Sequence, residues 1–281
     1  MKVLISGCGY VGEALGHELL ARGDEVIGLR RHAGMLPPAL SPLAADLEDP
    51  ASLRGLPGDV SAVVFCAGAR QRNEAAYVST YVSGLENLLR ALEDAGARLE
   101  RLVFTSSTAV YEHDDGRWVD EDSPAEPVAP TSKRLLEAEA VAREGAAKTT
   151  VLRLGGIYGP GRASVLERIA RGEVVAPSAT LYTNRIHRDD CAGVLAHLLH
   201  ADDPPPLLLG VDDEPVELGE LYRWLAERLG VAAPEVGEVT TQTRFLTSKR
   251  CRNTRLLGTG YTSRMPSFRQ GYAALLSEDV A

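Results

Sequence analysis

The feature that most constrains this chain is Gly7-Cys8-Gly9-Tyr10-Val11-Gly12, a GxGxxG hexamer. It directly follows the apolar run Val3-Leu4-Ile5 and precedes a segment with Val11, Leu15 and Leu19 at helical spacing. Strand, glycine turn and amphipathic helix in that order form the context in which such a hexamer binds a dinucleotide. Gly7 permits a tight turn, and Gly9 lets a diphosphate approach the backbone. Gly12 lets the helix pack closely on the strand, and Tyr10 and Val11 bring first-turn amides to the phosphate.

The rhythm continues through the first 155 residues. Val26-Ile27-Gly28-Leu29, Val63-Val64-Phe65, Leu102-Val103-Phe104 and Thr150-Val151-Leu152-Arg153-Leu154 read as strands covered on both faces. Between them lie helices, one over 71–95 with the stripe Tyr77, Tyr81, Leu85, Leu88 and Leu92, another over 130–143. Alternation of this kind predicts an α/β Rossmann-type, doubly wound parallel sheet. Beyond Leu154 come a glycine-rich loop, a short strand near 184–187, a helix capped by Asp189-Asp190 and the linker Pro204-Pro205-Pro206. A smaller C-terminal substrate lobe is expected from 156–183 and 201–281, with 1–155 and about 184–200 forming the dinucleotide domain.

Composition narrows the function classes. Thirty basic against 39 acidic side chains give a net charge of −9, which disfavours a nucleic-acid partner. No apolar run approaches the roughly 18 residues of a membrane span, and Val3-Leu4-Ile5 is too short for a signal peptide. The cysteines Cys8, Cys66, Cys191 and Cys251 lie far apart without a CxxC, so neither a disulfide framework nor a metal site is expected. These features suit a cytoplasmic protein. His17-Glu18 lacks the second histidine of a zincin motif, because residue 21 is alanine, and no GxSxG elbow accompanies Ser106 or Ser107.

At the tip of the second strand an NAD site would carry an acid against the ribose hydroxyls. This chain carries Arg30 and Arg31 there. A guanidinium pairs bidentately with a phosphate, so NADP is expected in preference to NAD, with NAD still possible.

Together these residues resemble the NAD(P)-dependent epimerase/dehydratase family, the extended short-chain dehydrogenase/reductases, in an atypical bacterial branch. The likeness is carried by the glycine turn, Ala45-Asp46-Leu47, Cys66-Ala67-Gly68, Phe104 to Tyr111, the acidic loop around Trp118 to Pro124, and Arg153 to Gly161. It implies Asp46 and Leu47 beside the adenine, Cys66, Ala67, Gly68 and Gly156 along the cofactor, Ser107 on the reacting substrate oxygen and Lys133 on the nicotinamide ribose. The family's tyrosine, four residues before the lysine, is replaced by Ala129. Pro130 keeps residue 129 out of the helix, so a tyrosine there would not align with Lys133.

A hydroxyl–carbonyl interconversion still needs a proton handler. Tyr111 and Tyr158 are candidates from loops at the carboxyl edge, against the plainer reading of packed rings. His113 reads as a solvated loop residue and His187 as structural. Cys8 could serve as a redox switch beside the helix N-terminus, or simply fill space. The acidic run from Glu112 to Glu126 reads as solvated surface. Lys249, Arg250, Arg252 and Arg255 concentrate positive charge. This cluster, joined by Arg162 and Arg185, could clamp an anionic small-molecule substrate at the lobe interface through residues such as Arg250 and Arg252, or form a solvated face. The helix over 71–95 could pair with a second copy in a homodimer, although burial on its own sheet explains the same stripe. The expected function is an NADP-preferring oxidoreductase or epimerase; a cofactor-binding sensor without turnover is the alternative.

Overall fold

The computed structural model describes residues 1–238 and 247–278. Seven strands form one parallel sheet: β1 (Lys2–Ser6), β2 (Glu25–Arg30), β3 (Pro42–Ala44), β4 (Ala62–Phe65), β5 (Arg101–Ser107), β6 (Lys148–Leu154) and β7 (Leu207–Gly210). Their spatial order is β7-β6-β5-β4-β1-β2-β3. The order reverses beside β1, and ligands of such sheets bind at that switch point, outside the carboxyl ends of the strands. The unbroken apolar runs explain the arrangement, since both sheet faces are covered: Val3, Ile5 and Val64 face one core cluster and Leu4, Val63 and Phe65 the other.

Helix α1 (Tyr10–Ala21) packs against α6 (Arg188–His200) on one face. The opposite face carries α2 (Glu74–Tyr77), a π-helical segment (Val78–Ser83), α3 (Gly84–Asp94) and α4 (Pro130–Arg143). Leu85, Leu88 and Leu92 are fully buried there, so the chain's own sheet accounts for the apolar stripe. A second lobe packs α5 (Ser164–Ala170), α7 (Leu218–Leu229) and α9 (Phe268–Glu278) around a separate apolar cluster; α8 (Thr254–Gly258) sits against β7. No described helix is long and apolar enough to cross a membrane.

Two strands depart from the sequence expectation. β3 joins the sheet although only three residues pair, from Pro42 opposite Gly28 to Ala44 opposite Arg30. Residues 207–210 belong to the sheet rather than to the second lobe, because the leucine run after the prolines docks parallel to β6. The prolines begin the docking: Thr150 Oγ1 donates to the Pro205 carbonyl (3.0 Å) and Val151 N–H to that of Pro206 (2.9 Å). The acidic loop is not wholly solvated either. Glu121 is buried, and its Oε1 accepts the Leu209 amide at 2.9 Å, covering part of the exposed sheet edge.

A buried ion pair ties α4 to the sheet. Arg153 donates from Nε and Nη2 to the two oxygens of Glu139 (2.9 and 2.7 Å) and from Nη1 to the Tyr111 hydroxyl (2.6 Å). Ser106 donates to Glu139 Oε1 at 2.7 Å. Removing Glu139 leaves Arg153 buried without its carboxylate, and removing Arg153 leaves Glu139 only the half-exposed Arg143 at 3.3 Å; breaking such a buried pair costs about 3–5 kcal/mol. Glu139→Ala and Arg153→Ala should each lower unfolding free energy by that order in urea melts. Glu139→Leu with Arg153→Met should lose less than the two single losses added together; full additivity would contradict a coupled pair.

Candidate functional site

The glycine turn is shaped by crowding. Gly7 has φ +84°, and a β-carbon there would lie 2.3 Å from Ala67 Cα and 2.4 Å from Ala67 N. Gly12 is close-packed too: its β-carbon would stand 3.0 Å from the Gly7 carbonyl and from Ile5 Cγ2. Gly9 differs, because a β-carbon on it would meet nothing nearer than the Gly7 carbonyl at 3.8 Å. Gly9 is the N-cap of α1 and offers no side chain to the first-turn amides, which include those of Tyr10 and Val11. Bare amides, an open approach and the positive end of a helix fit a diphosphate.

Beside the turn lies a cavity of about 100 Å³ lined by Gly7, Arg30, Arg31, Asp46, Leu47, Glu48, Ala67, Gly68 and Thr80, among others. It brings together seven of the residues expected on the cofactor, and Leu29, Ala45, Glu48 and Thr80 line it besides. Glu48 Oε1 accepts the Thr80 hydroxyl at 3.1 Å. Thr80 comes from the π-helical segment, whose position the stripe at 77, 81 and 85 does not reveal. Asp46 Oδ1 accepts the Glu48 amide (3.1 Å), and Asn87 Nδ2 donates to the Leu47 carbonyl (2.9 Å), so the far wall is fixed. Cavity, turn and helix end could together hold a dinucleotide.

Cys66 ends the wall next to the turn, with its thiol donating to the Gly7 carbonyl at 3.5 Å. The Cys8 thiol is fully buried, and a β-carbon on Gly28 would stand 2.9 Å from its sulfur. Burial pushes the Cys8 thiol up to about 11, so it fills space and the redox-switch reading is set aside.

Ser107 ends β5 opposite Leu154 at the end of β6. Its Oγ accepts the Ala109 amide at 3.1 Å, which leaves its proton to donate elsewhere. Lys133 is exposed in the first turn of α4, with no ion-pair partner among the described residues. Ala129 is extended (φ −61°, ψ 127°) just before that helix, as Pro130 dictates. Glu112 Oε2 accepts the amides of Val128 and Ala129, the latter at 2.9 Å. Gly156 is exposed, and its amide donates to the Asn184 carbonyl at 2.8 Å rather than being left for a ligand.

The two tyrosine candidates are corrected. Tyr111 is fully buried, its hydroxyl is occupied by Arg153, and burial pushes it up to about 12. Tyr158 stacks on Tyr272 (4.5 Å between ring centres) with its hydroxyl 3.5 Å from the Ser267 carbonyl; burial raises it further. Neither hydroxyl is poised to trade a proton at neutral pH. His187 is buried and caps α6, its Nδ1 accepting the Asp189 amide at 3.3 Å, in keeping with the structural reading.

The arginines expected to hold an anion are stacked on rings or turned inward. Arg250 and Arg252 both lie over the Trp118 ring (4.9 Å each), and Arg250 also lies over Tyr182. Arg162 and Arg188 lie over the Tyr10 ring at 5.3 and 5.4 Å, beside the glycine turn. Arg185 faces the second lobe's interior, where its charge acts on Asp212, Tyr158, Tyr222 and Tyr272. Guanidinium planes stack well on aromatic rings.

The profile of the NAD dependent epimerase/dehydratase family matches residues 3–205. The chain belongs to that family. A Mycobacterium tuberculosis protein described as uncharacterized is 32% identical over 109 residues, 38% of this chain; the chain spans 12% of that protein's length. Protein YeeZ of Escherichia coli is 30% identical over 213 residues, covering 71% of this chain and 73% of its own. A 3-diazoavenalumate denitrifying reductase from a Streptomyces species is 27% identical, covering 88% and 87%. Among solved structures, a Methylobacillus flagellatus protein assigned to the NAD-dependent epimerase/dehydratases superposes with a TM-score of 0.83 at 37% identity, covering 100% and 99%. The human epimerase family protein SDR39U1, solved with NADPH, gives 0.79 at 26% identity, covering 96% and 97%. MoeE5, solved with UDP-glucuronic acid and NAD, gives 0.79 at 25%, covering 97% of each chain.

Crowding at Gly7 is testable against a matched control. Gly23 has φ +87° but open space around it. Gly23→Ala should cost only the left-handed backbone penalty, about 1–2 kcal/mol. Gly7→Ala should exceed about 4 kcal/mol or fail to fold, as read from urea midpoints; equal costs would contradict the close approach. The native protein should also resist iodoacetamide at pH 8 at Cys8, by peptide mass spectrometry, and become labelled there once unfolded in urea.

Proposed function

We propose that the protein is an NADP(H)-dependent oxidoreductase acting on a small carbonyl- or hydroxyl-bearing substrate. The observation that carries this reading is the cavity beside Gly7, whose rim at the end of β2 holds two arginines and no acid. Arg30 and Arg31 would take a 2′-phosphate as a charge-assisted pair, while the turn amides take the diphosphate. Asp46 and Leu47 would border the adenine and Lys133 would hold the nicotinamide ribose. The bound dinucleotide supplies or accepts hydride. Ser107, with its proton free to donate, would hold and polarise the substrate oxygen. Family membership, the reductase among the relatives and the NADPH found with the human neighbour support the same reading.

NADPH should bind at least about tenfold more tightly than NADH, the worth of one hydrogen bond to a charged group. Replacing Arg30 and Arg31 with alanine should remove that preference and leave NADH affinity unchanged, as measured by fluorescence titration. Equal or NADH-favouring affinities in the natural protein would contradict the assignment. NADPH oxidation against a panel of aldehydes, ketones and keto-sugars should find a substrate; tight binding without turnover on the panel would favour a sensor instead.

A further inference from the structure

Near the carboxyl edge of the sheet, Lys249 is a buried charge whose purpose the fold does not explain. Residues 249–252 alternate as a strand does. Arg250 and Arg252 face outward onto Trp118, while Lys249 and Cys251 are 4% and 1% exposed. Lys249 Nζ donates to Thr247 Oγ1 at 3.1 Å, and no carboxylate lies within ion-pair distance among the described residues. A buried ammonium without a counter-ion is costly, so it either gives up its proton or meets an anion brought from outside.

The surrounding hydrogen bonds fix where this lysine stands. Ser248 N–H donates to the His113 carbonyl at 2.8 Å, joining the strand to the segment that follows Ser107. Asn184 donates from Nδ2 to the Lys249 carbonyl (3.0 Å) and accepts the Cys251 amide (2.7 Å). Its own carbonyl accepts Gly156 N–H, which follows Leu154. Ser107 and Leu154 are register partners, so Lys249 is tied to the chain leaving both strand ends. The charges acting on the amine are those of Glu112, which anchors Ala129, and Cys251, on the same strand. Burial outweighs both and holds the amine below the ordinary lysine range.

We propose that Lys249 is the proton donor and acceptor for the substrate oxygen that Ser107 holds. This rests on the oxidoreductase reading above. As a carbonyl carbon gains hydride, its π pair moves to oxygen, and Lys249 gives that oxygen one proton. The neutral amine left behind regains a proton from water. In the oxidative direction the neutral amine takes the hydroxyl proton.

Lys2, Lys133, Lys148 and Lys249 are the chain's four lysines, so NMR of protein labelled with 13C at lysine Cε can follow each, with Lys249→Arg assigning the signal. Lys249 should titrate below the ordinary lysine value near 10.4, because burial disfavours its charged form. Lys249→Met should bind NADPH within about twofold of the natural protein, yet reduce the best panel carbonyl at least about 100-fold more slowly. The natural protein's reduction rate should fall as pH rises through the NMR midpoint, and that limb should be absent in the methionine variant. A Lys249 that titrates with the surface lysines, or a methionine variant with the full rate, would overturn the proposal. If the natural protein failed to bind NADPH, the oxidoreductase reading itself would fall, whereas the NMR midpoint would still be read. Where NADPH binds and no carbonyl on the panel turns over, the proposal falls together with the oxidoreductase reading.

Discussion

The end of β1 approaches the end of β4 so closely at Gly7 that no β-carbon fits between them. That contact sets the direction in which the chain leaves the sheet. It turns α1 back across the strands, where Gly12 rests on Ile5, and leaves the helix end facing the switch point. The cavity between the ends of β2 and β4 is a consequence of the same turn. A side chain at residue 7 would push the two strand ends apart and close off the approach to the amides.

A second constraint acts one strand further on. The Glu139–Arg153 pair joins α4 to β6 and, through Ser106 and Tyr111, to β5. Ser106, next to Ser107 on β5, belongs to this network, and the network also occupies the Tyr111 hydroxyl. Pro130 meanwhile starts α4 one residue after Ala129 and keeps that position extended. With Tyr111 committed to packing and residue 129 lacking a functional side chain, the proton handler proposed for the substrate oxygen comes from far along the chain, at Lys249.

Much of this was legible in the sequence because the physics is local. Val3-Leu4-Ile5 and Val63-Val64-Phe65 are continuous apolar runs, as strands covered on both faces require, and Pro130 marks a helix start through its fixed φ. β3 was not legible, because three residues after paired prolines carry no period. β7 was missed because a leucine run after three prolines looks like linker, and only the open edge of β6 makes it a strand. The directions of Tyr111, Tyr158 and the arginines depend on partners such as Arg153, Tyr272 and Trp118, distant in sequence. The inward turn of Lys249 did leave a signal: in Lys249-Arg250-Cys251-Arg252 an apolar residue alternates with arginines, and strand geometry puts the lysine on the cysteine's side.

The most direct measurement is a crystal structure of the protein with NADPH. Density for the diphosphate should lie within hydrogen-bond reach of the amides at the start of α1, with the adenosine in the cavity lined by Arg30, Asp46 and Ala67. A nucleotide bound elsewhere, or no nucleotide at saturating concentration, would contradict the assignment of the glycine turn.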